Sequence, residues 1–384
     1  MYSVQKTKGT NFIKQFDFPL FASVFLLSLI GIVVLMSALL GEDGWKQVWF
    51  KQAGGLVIGV ILAFLISTLD YKDFKTLGIL LYMASIGLLV VVLIFAERKY
   101  GAKSWLKIPV MGSYQPSELA KVAFALVIPV FFERLKDKTD VWKNLIKLIF
   151  YAGLPIFLIL LQPDVGTAMV FIFSFLVMLF IYGIAYKYFI IAIGAFAAST
   201  PFLWLFVLPS HIKSRVLTFL NPDMDLQNSG LQVARAKMTI GSGQIFGKGL
   251  FHGLQTQNSS VAASSNFNVP LQKNDFIFTV VGEEFGFIGC MVVVALVLFM
   301  LFRCLYIAQN ARDNYGSYVV MGITAMFAFH FIENIGMNIG VLPVTGITLP
   351  FMSQGGSALI TNFISVGVLL SVSMRRKRTI FNSD

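Results

Sequence analysis

The residue best placed to do chemistry is Asp275, in the stretch Leu271-Gln-Lys-Asn-Asp-Phe-Ile-Phe-Thr-Val-Val-Gly-Glu-Glu-Phe-Gly286. It is the last polar residue before Phe276-Ile277-Phe278, where a long polar loop meets a long apolar run. A carboxylate at such a boundary is half shielded from water. Desolvation raises a carboxyl pKa toward the range of a useful general base. The same position suits a helix N-terminus, with Asn274 or Asp275 capping the apolar helix that follows.

Other polar residues interrupt apolar runs in a similar way. Gln115-Pro-Ser-Glu-Leu-Ala-Lys121 opens one run. Pro116 and Glu118 favour a helix N-terminus there. Glu118 and Lys121 stand at i, i+3 and share a face. An ionisable residue inside an apolar run marks a functional site by default, with a structural ion pair as the alternative. Asp164, in Gln162-Pro-Asp-Val-Gly-Thr167, either caps the next run or joins Glu118 and Lys121 in a polar pocket. His330, Asn334 and Asn338 repeat at i, i+4, i+8, with Glu333 beside them. Such a stripe must face the bundle interior or water. Two prolines and three glycines follow within Leu342–Ser357, so irregular backbone is expected at membrane depth, where it marks a ligand site or a gate. Gly241-Ser-Gly-Gln-Ile-Phe-Gly-Lys-Gly249 resembles a phosphate loop but matches neither the Walker nor the dinucleotide spacing. It is either a plain connector or a flexible turn bringing backbone N–H groups and Lys248 to a phosphate. Trp105, beside Lys103, reads as an interfacial tryptophan or as a stacking face for a sugar.

The elements that position these residues follow from composition. The 384 residues are 57% hydrophobic and 13% charged, with mean hydropathy +0.78. Apolar runs of spanning length recur, so the chain reads as an all-α polytopic membrane protein forming a single domain over 1–384. A membrane barrel would show weak alternation instead. Ten spans are expected: 18–40, 48–69, 77–95, 117–132, 146–161, 165–182, 189–208, 276–302, 315–340 and 349–372. The first reads as a full span rather than a cleavable signal. Cys290 and Cys304 lie roughly 21 Å apart on one helix, too far for a disulfide. Three histidines without paired spacing argue against zinc. The net charge of +11 points to anionic lipid or ligand. Its scatter over many loops argues against nucleic acid. Seventeen Lys and Arg fall on the side of the termini, against six on the short loops opposite, which places both termini in the cytoplasm. The loop 209–275 between the seventh and eighth spans is then extracytoplasmic. It is too apolar for plain disorder and reads as a lid or groove wall.

Taken together, these motifs resemble the SEDS family (shape, elongation, division and sporulation), which comprises the RodA, FtsW and SpoVE proteins. The match runs through Gly-Ala-Lys-Ser-Trp (101–105), Gln-Pro-Ser-Glu (115–118) with Lys121, Gln-Pro-Asp-x-Gly-Thr (162–167) and Ile-Gly-Ser-Gly (240–243) with Gly-Lys-Gly (247–249). It continues through Asn-Asp-Phe-Ile-Phe (274–278) with Gly-Glu-Glu-Phe-Gly (282–286), and Pro-Val-Thr-Gly-Ile-Thr-Leu-Pro-Phe (343–351) with Ser353 and Gly355-Gly356-Ser357. Val344-Thr345-Gly346 is most like RodA members. Asn274 stands where the family usually has Thr, and Gln354 where it has Tyr. The resemblance implies a ten-span bundle in the cytoplasmic membrane that polymerises lipid II into peptidoglycan glycan strands during elongation and shape maintenance. It also implies Asp275 as the catalytic aspartate, a class B penicillin-binding protein as partner, and other elongation-complex membrane proteins around it.

The implied chemistry needs one carboxylate. A GlcNAc 4-hydroxyl attacks the anomeric carbon of a lipid-diphosphate-linked MurNAc with inversion, and diphosphate leaves without a protonating acid, unlike the leaving group of a hydrolase. Its developing charge calls for cations nearby, from Lys121, Arg235, Lys248 and Lys273, or for Mg2+ or Mn2+, with Asp275 a candidate ligand. Trp105, Lys103, Glu118, Asp164, Ser353, Gly355 and Gly356 complete the expected substrate site. Two rivals remain: a lipid II flippase, fed by the intramembrane polar residues, and a non-catalytic scaffold, which leaves Asp275 unexplained.

Overall fold

The computed structural model describes residues 15–40, 44–96, 104–108, 112–136, 141–207, 210–221, 229–253 and 273–376. Its helices are α1 (Phe18–Leu39), α2 (Trp45–Thr68), α3 (Phe74–Phe95), α4 (Pro116–Lys136), α5 (Val141–Leu161), α6 (Val165–Tyr182) and α7 (Tyr186–Phe202, continued by a π turn at Leu203–Val207). They continue with α8 (Ser210–Leu220), α9 (Ser229–Ser242), α10 (Ile277–Gln309), α11 (Asn314–Asn338) and α12 (Gly356–Met374).

Nine helices among the described residues are long and apolar enough to cross a membrane. Helix α4 has 21 residues, roughly 31 Å at 1.5 Å per residue, enough to span. Its five charges (Glu118, Lys121, Glu133, Arg134, Lys136) set it apart by composition, yet its middle is buried from Ala120 to Phe132. With α4 the bundle carries the ten runs expected. The protein is a multi-pass membrane protein.

The last run departs from expectation. Helix was expected from Leu349, but α12 begins at Gly356. Gly346 and Phe351 adopt positive φ of +83° and +68°, which an α-helix of L-residues does not tolerate. Residues 341–355 therefore form an irregular segment inside the bundle. A three-residue hairpin, β1 (Leu106–Ile108) with β2 (Gly112–Tyr114), adds a short antiparallel ladder before α4.

Helix α11 is central, packed against α4, α6 and α10, and α12 lies along α2. Asp17 caps α1 through Leu20 N (3.1 Å) and takes a bidentate pair from Arg303 of α10 at 2.8 and 2.9 Å. Ser373 at the end of α12 joins it at 3.2 Å, so one carboxylate ties three helix ends together. At the opposite end of the bundle lie the start of α4, α6, α10 and α12 and the end of α11, which carry the polar motifs. In the long loop, α9 packs on α8, α10 and α11, so it forms a wall against the bundle.

Candidate active site

Asp275 sits one residue ahead of Phe276, the N-cap of α10, and no side chain caps that helix. The capping reading of Asn274 or Asp275 therefore does not hold. Among the described residues no donor bonds the Asp275 carboxylate. What holds the residue is its backbone. Asn334 Nδ2 donates to Asp275 O at 2.8 Å and to Ile347 O at 2.7 Å, and Asn338 Nδ2 donates to Asp275 O at 3.0 Å. Ser353 Oγ donates to Asn274 O at 2.6 Å and accepts from Leu349 N at 2.9 Å. Gln354 N donates to Lys273 O at 2.9 Å. The polar stripe of α11 is thus buried, as its spacing demands. Its two asparagines staple the turn 273–275 to the segment 341–355.

Both departures from the family pattern fall within this staple. The carbonyl of Asn274 and the amide of Gln354 do the work, so their side chains are not needed for it. Ser353 and Gly355, expected to bind substrate, act here on protein. Gln52 of α2 bridges them, donating to Ser353 O at 3.1 Å and accepting from Gly355 N at 2.9 Å. Gly356 opens α12 against the Lys51 carbonyl.

Around the carboxylate stand Gly346, where a Cβ would lie 3.7 Å from Asp275 Oδ2, and three charged groups. Arg215 of α8 donates from Nη1 to Thr345 O at 3.2 Å. Thr345 Oγ1 donates to Glu333 of α11, which is 3% exposed. The Glu333 side chain feels the charges of both Asp275 and Arg215, and its Oε2 has no hydrogen bond among the described residues. Asp164 caps α6 through Thr167 N (3.0 Å) and accepts from Gln115 Nε2 at 3.1 Å. Burial pushes the Asp275 carboxyl up to about 6; Arg215 pulls it down and Asp164 adds to the rise. A half-buried carboxyl with that affinity for protons is matched to base chemistry near neutral pH.

The other expected residues divide. Glu118 and Lys121 pair at 3.0 Å, both about nine-tenths buried. Lys121 Nζ also meets His330 Nε2 at 2.8 Å, and His330 Nδ1 faces Thr348 O at 3.3 Å. This triad lines a cavity of about 20 Å3, room for one water, and supports the segment 341–355 from below. Lys248 Nζ pairs with buried Glu283 at 2.7 Å. The turn 243–249 instead clasps α10 at its kink. Lys248 N and Gly249 N donate to Glu283 O and Glu284 O at 2.9 and 3.0 Å, and Phe287 N donates back to Gln244 O at 2.8 Å. A Cβ on Gly247 would fall 2.1 Å from Glu284 O, and Gly286 breaks α10 at φ +64°, so the closeness needs glycine on both sides. Arg235 is half-buried on α9, Lys273 half-buried in the turn before Asp275, and Trp105 half-buried before β1. Lys103 lies outside the described residues.

Arg215, Thr345 and Gln52 were not anticipated. Arg215 had a signal: it is one of two basic residues in the amphipathic run Ser210–Leu220. Among the described residues no group of three His, Cys, Asp or Glu side chains is placed to hold a metal ion. An apolar cleft of about 600 Å3 runs between α1 and α10, bounded by Val33, Phe285 and Ile288, with Phe246 and Leu250 of the clasp among its walls.

A family model described as Cell cycle protein, FTSW_RODA_SPOVE, matches residues 18–378. Peptidoglycan glycosyltransferase MrdB of Escherichia coli is 30% identical over 354 residues, 92% of this chain and 93% of that protein. Stage V sporulation protein E of Bacillus subtilis is 34% identical over 368 residues, 93% of this chain and 96% of its own. A solved structure on the coordination of polymerization and crosslinking by a peptidoglycan synthase complex superposes with TM-score 0.77 at 29% identity, covering 93% of this chain and 97% of that one. Relatives bearing the RodA and FtsW names both match at 30%, so similarity does not separate elongation from division.

Proposed function

We propose that Asp275 is the general base of this chain, which belongs to the FtsW, RodA and SpoVE family of cell cycle proteins and is a peptidoglycan glycosyltransferase. The observation that carries the assignment is a carboxylate with no hydrogen bond among the described residues, on a turn whose backbone is pinned by Asn334, Asn338 and Ser353. A base must be rigidly placed yet unsatisfied, so that its first strong hydrogen bond is to substrate. The substrate is lipid II. Asp275 takes the proton of the acceptor GlcNAc 4-hydroxyl as that oxygen bonds the anomeric carbon of the donor MurNAc. The bond from that carbon to the diphosphate oxygen breaks with inversion, and the lipid diphosphate leaves with the electron pair.

Several finer points belong to the same reading. The cleft between α1 and α10 is lined by apolar side chains and suits an isoprenoid tail. Val344-Thr345-Gly346 favours a role in elongation, and the Lys and Arg asymmetry favours cytoplasmic termini. The chain acts as one domain. A crosslinking partner, a class B penicillin-binding protein, is supported by the synthase complex whose polymerase-like chain superposes on this one. The test is polymerisation of labelled lipid II by the purified protein with its partner. Asp275→Ala should make no glycan, and normal polymer from that variant would end the assignment.

A further inference from the structure

The reaction leaves a lipid diphosphate beside a site rich in carboxylates. Asp275 is faced by Asp164 from the start of α6, by Glu333 from α11 and by Arg215 from α8. Three carboxylates repel a diphosphate at close range unless a cation stands between them. Two cations expected to do this are engaged elsewhere: Lys248 by Glu283 at 2.7 Å, and Lys121 by Glu118 and His330 at 3.0 and 2.8 Å.

Arg215 differs from them. Its one hydrogen bond among the described residues is to a neutral acceptor, Thr345 O, at 3.2 Å. Thr345 precedes Gly346, the residue against Asp275 Oδ2, so the guanidinium is held on the same stretch of chain that borders the carboxylate. A guanidinium has five N–H donors in a planar fork that matches phosphate oxygens two at a time. It is carried on an amphipathic helix of the long loop, an element outside the spanning bundle.

We infer that Arg215 is a further catalytic residue, the group that receives the charge of the leaving diphosphate and, in moving to it, loosens its hold on Asp275. The inference rests on Asp275 being the base. Before diphosphate binds, Arg215 pulls the Asp275 carboxyl down, against the burial that pushes it up. Once diphosphate claims the guanidinium, Asp275 loses that stabilisation and becomes the stronger base as the 4-hydroxyl arrives. Proton and leaving charge are handled in one step: the proton goes to Asp275, and the electron pair goes to the diphosphate oxygen beside Arg215.

The test measures binding of undecaprenyl diphosphate and undecaprenyl monophosphate to the full chain in detergent, for wild type, Arg215→Gln, Arg215→Lys and Asp275→Asn, with the pH profile of kcat/KM for lipid II on the active forms. Arg215→Gln should weaken diphosphate binding at least tenfold and monophosphate binding less. Arg215→Lys should restore part of the affinity and retain enough activity to profile. Its acid limb should move to higher pH, because the compact, strongly hydrated ammonium acts on the Asp275 carboxylate more weakly than the guanidinium does. Asp275→Asn should bind diphosphate as tightly as wild type or tighter, having lost a repelling charge. A purely structural Arg215 would lower yield or rate with the affinity ratio and the acid limb unmoved. Wild-type diphosphate affinity in a folded Arg215→Gln protein overturns the proposal. Normal polymerisation by Asp275→Asn would instead overturn the base assignment beneath it.

Discussion

Replacing Asp275 by Asn should inactivate the protein and make it more stable. The carboxyl is raised from 3.8 to about 6, about two units, and each unit is worth about 1.4 kcal/mol, so ionising Asp275 in the folded protein costs about 3 kcal/mol. The sign follows from linkage. The unfolded carboxyl ionises near pH 4 and the folded one near pH 6, so the cost is absent below pH 4. It grows between pH 4 and 6 and is constant above. Asn has nearly the same shape and never ionises. Thermal unfolding in detergent, followed by tryptophan fluorescence at one scan rate, should show Asp275→Asn more stable at pH 7.5. At roughly 2 °C per kcal/mol the gap is ~6 °C, and it should close toward pH 4.5. A gap that is independent of pH, or a wild type more stable at pH 7.5, would refute the claim that this carboxylate is held charged against its surroundings.

Three further outcomes are expected. The acid limb of kcat/KM for lipid II polymerisation should fall near pH 6 in the wild type, and a limb near pH 4 would mean that the group titrating is not Asp275 as placed here. Gly247→Ala puts a Cβ 2.1 Å from Glu284 O on a backbone at φ +82°. Left-handed strain of about 1–2 kcal/mol plus overpacking of about 1–3 kcal/mol should appear as a lowered Tm and faster proteolysis within 243–253; a protein as stable as wild type would remove the clasp from the account. Asn334→Ala breaks the bonds to Asp275 O and Ile347 O. It should reduce kcat on the order of 10²-fold with KM little changed, the effect of a misplaced base, whereas an unchanged kcat would show that the staple does not position Asp275.

Much of this arrangement was legible in the chain. The ten runs follow from apolar length, and the burial of His330, Glu333, Asn334 and Asn338 from a polar stripe that lipid does not accept. The irregular backbone after Leu342 follows from its prolines and glycines. What its asparagines do was not legible, because the carbonyl they share is that of Asp275, nearly sixty residues away from Asn334. The partner of Lys248 was hidden for a related reason: a glycine-rich basic turn has the same local composition whatever it packs on, and Glu283 is 35 residues away. Arg215 was hidden because its importance comes from the helix that carries it and from Thr345, 130 residues on. The late start of α12, at Gly356 rather than Leu349, is a tertiary override. Leu349, Phe351 and Met352 continue the apolar pattern, but Phe351 and Gly355 take positive φ and keep the chain out of helix until Gly356.

The role proposed for the Asp275 carboxylate is to take the proton of the acceptor hydroxyl. It is tested most directly by single-turnover polymerisation of labelled lipid II with purified wild-type, Asp275→Asn and Asp275→Ala proteins, each with its partner and each checked for folding. Glycan strands are expected from the wild type, and from neither variant a rate within about 10²-fold of it, the lower range of what a general base contributes. Strands formed at the wild-type rate by either folded variant would contradict it.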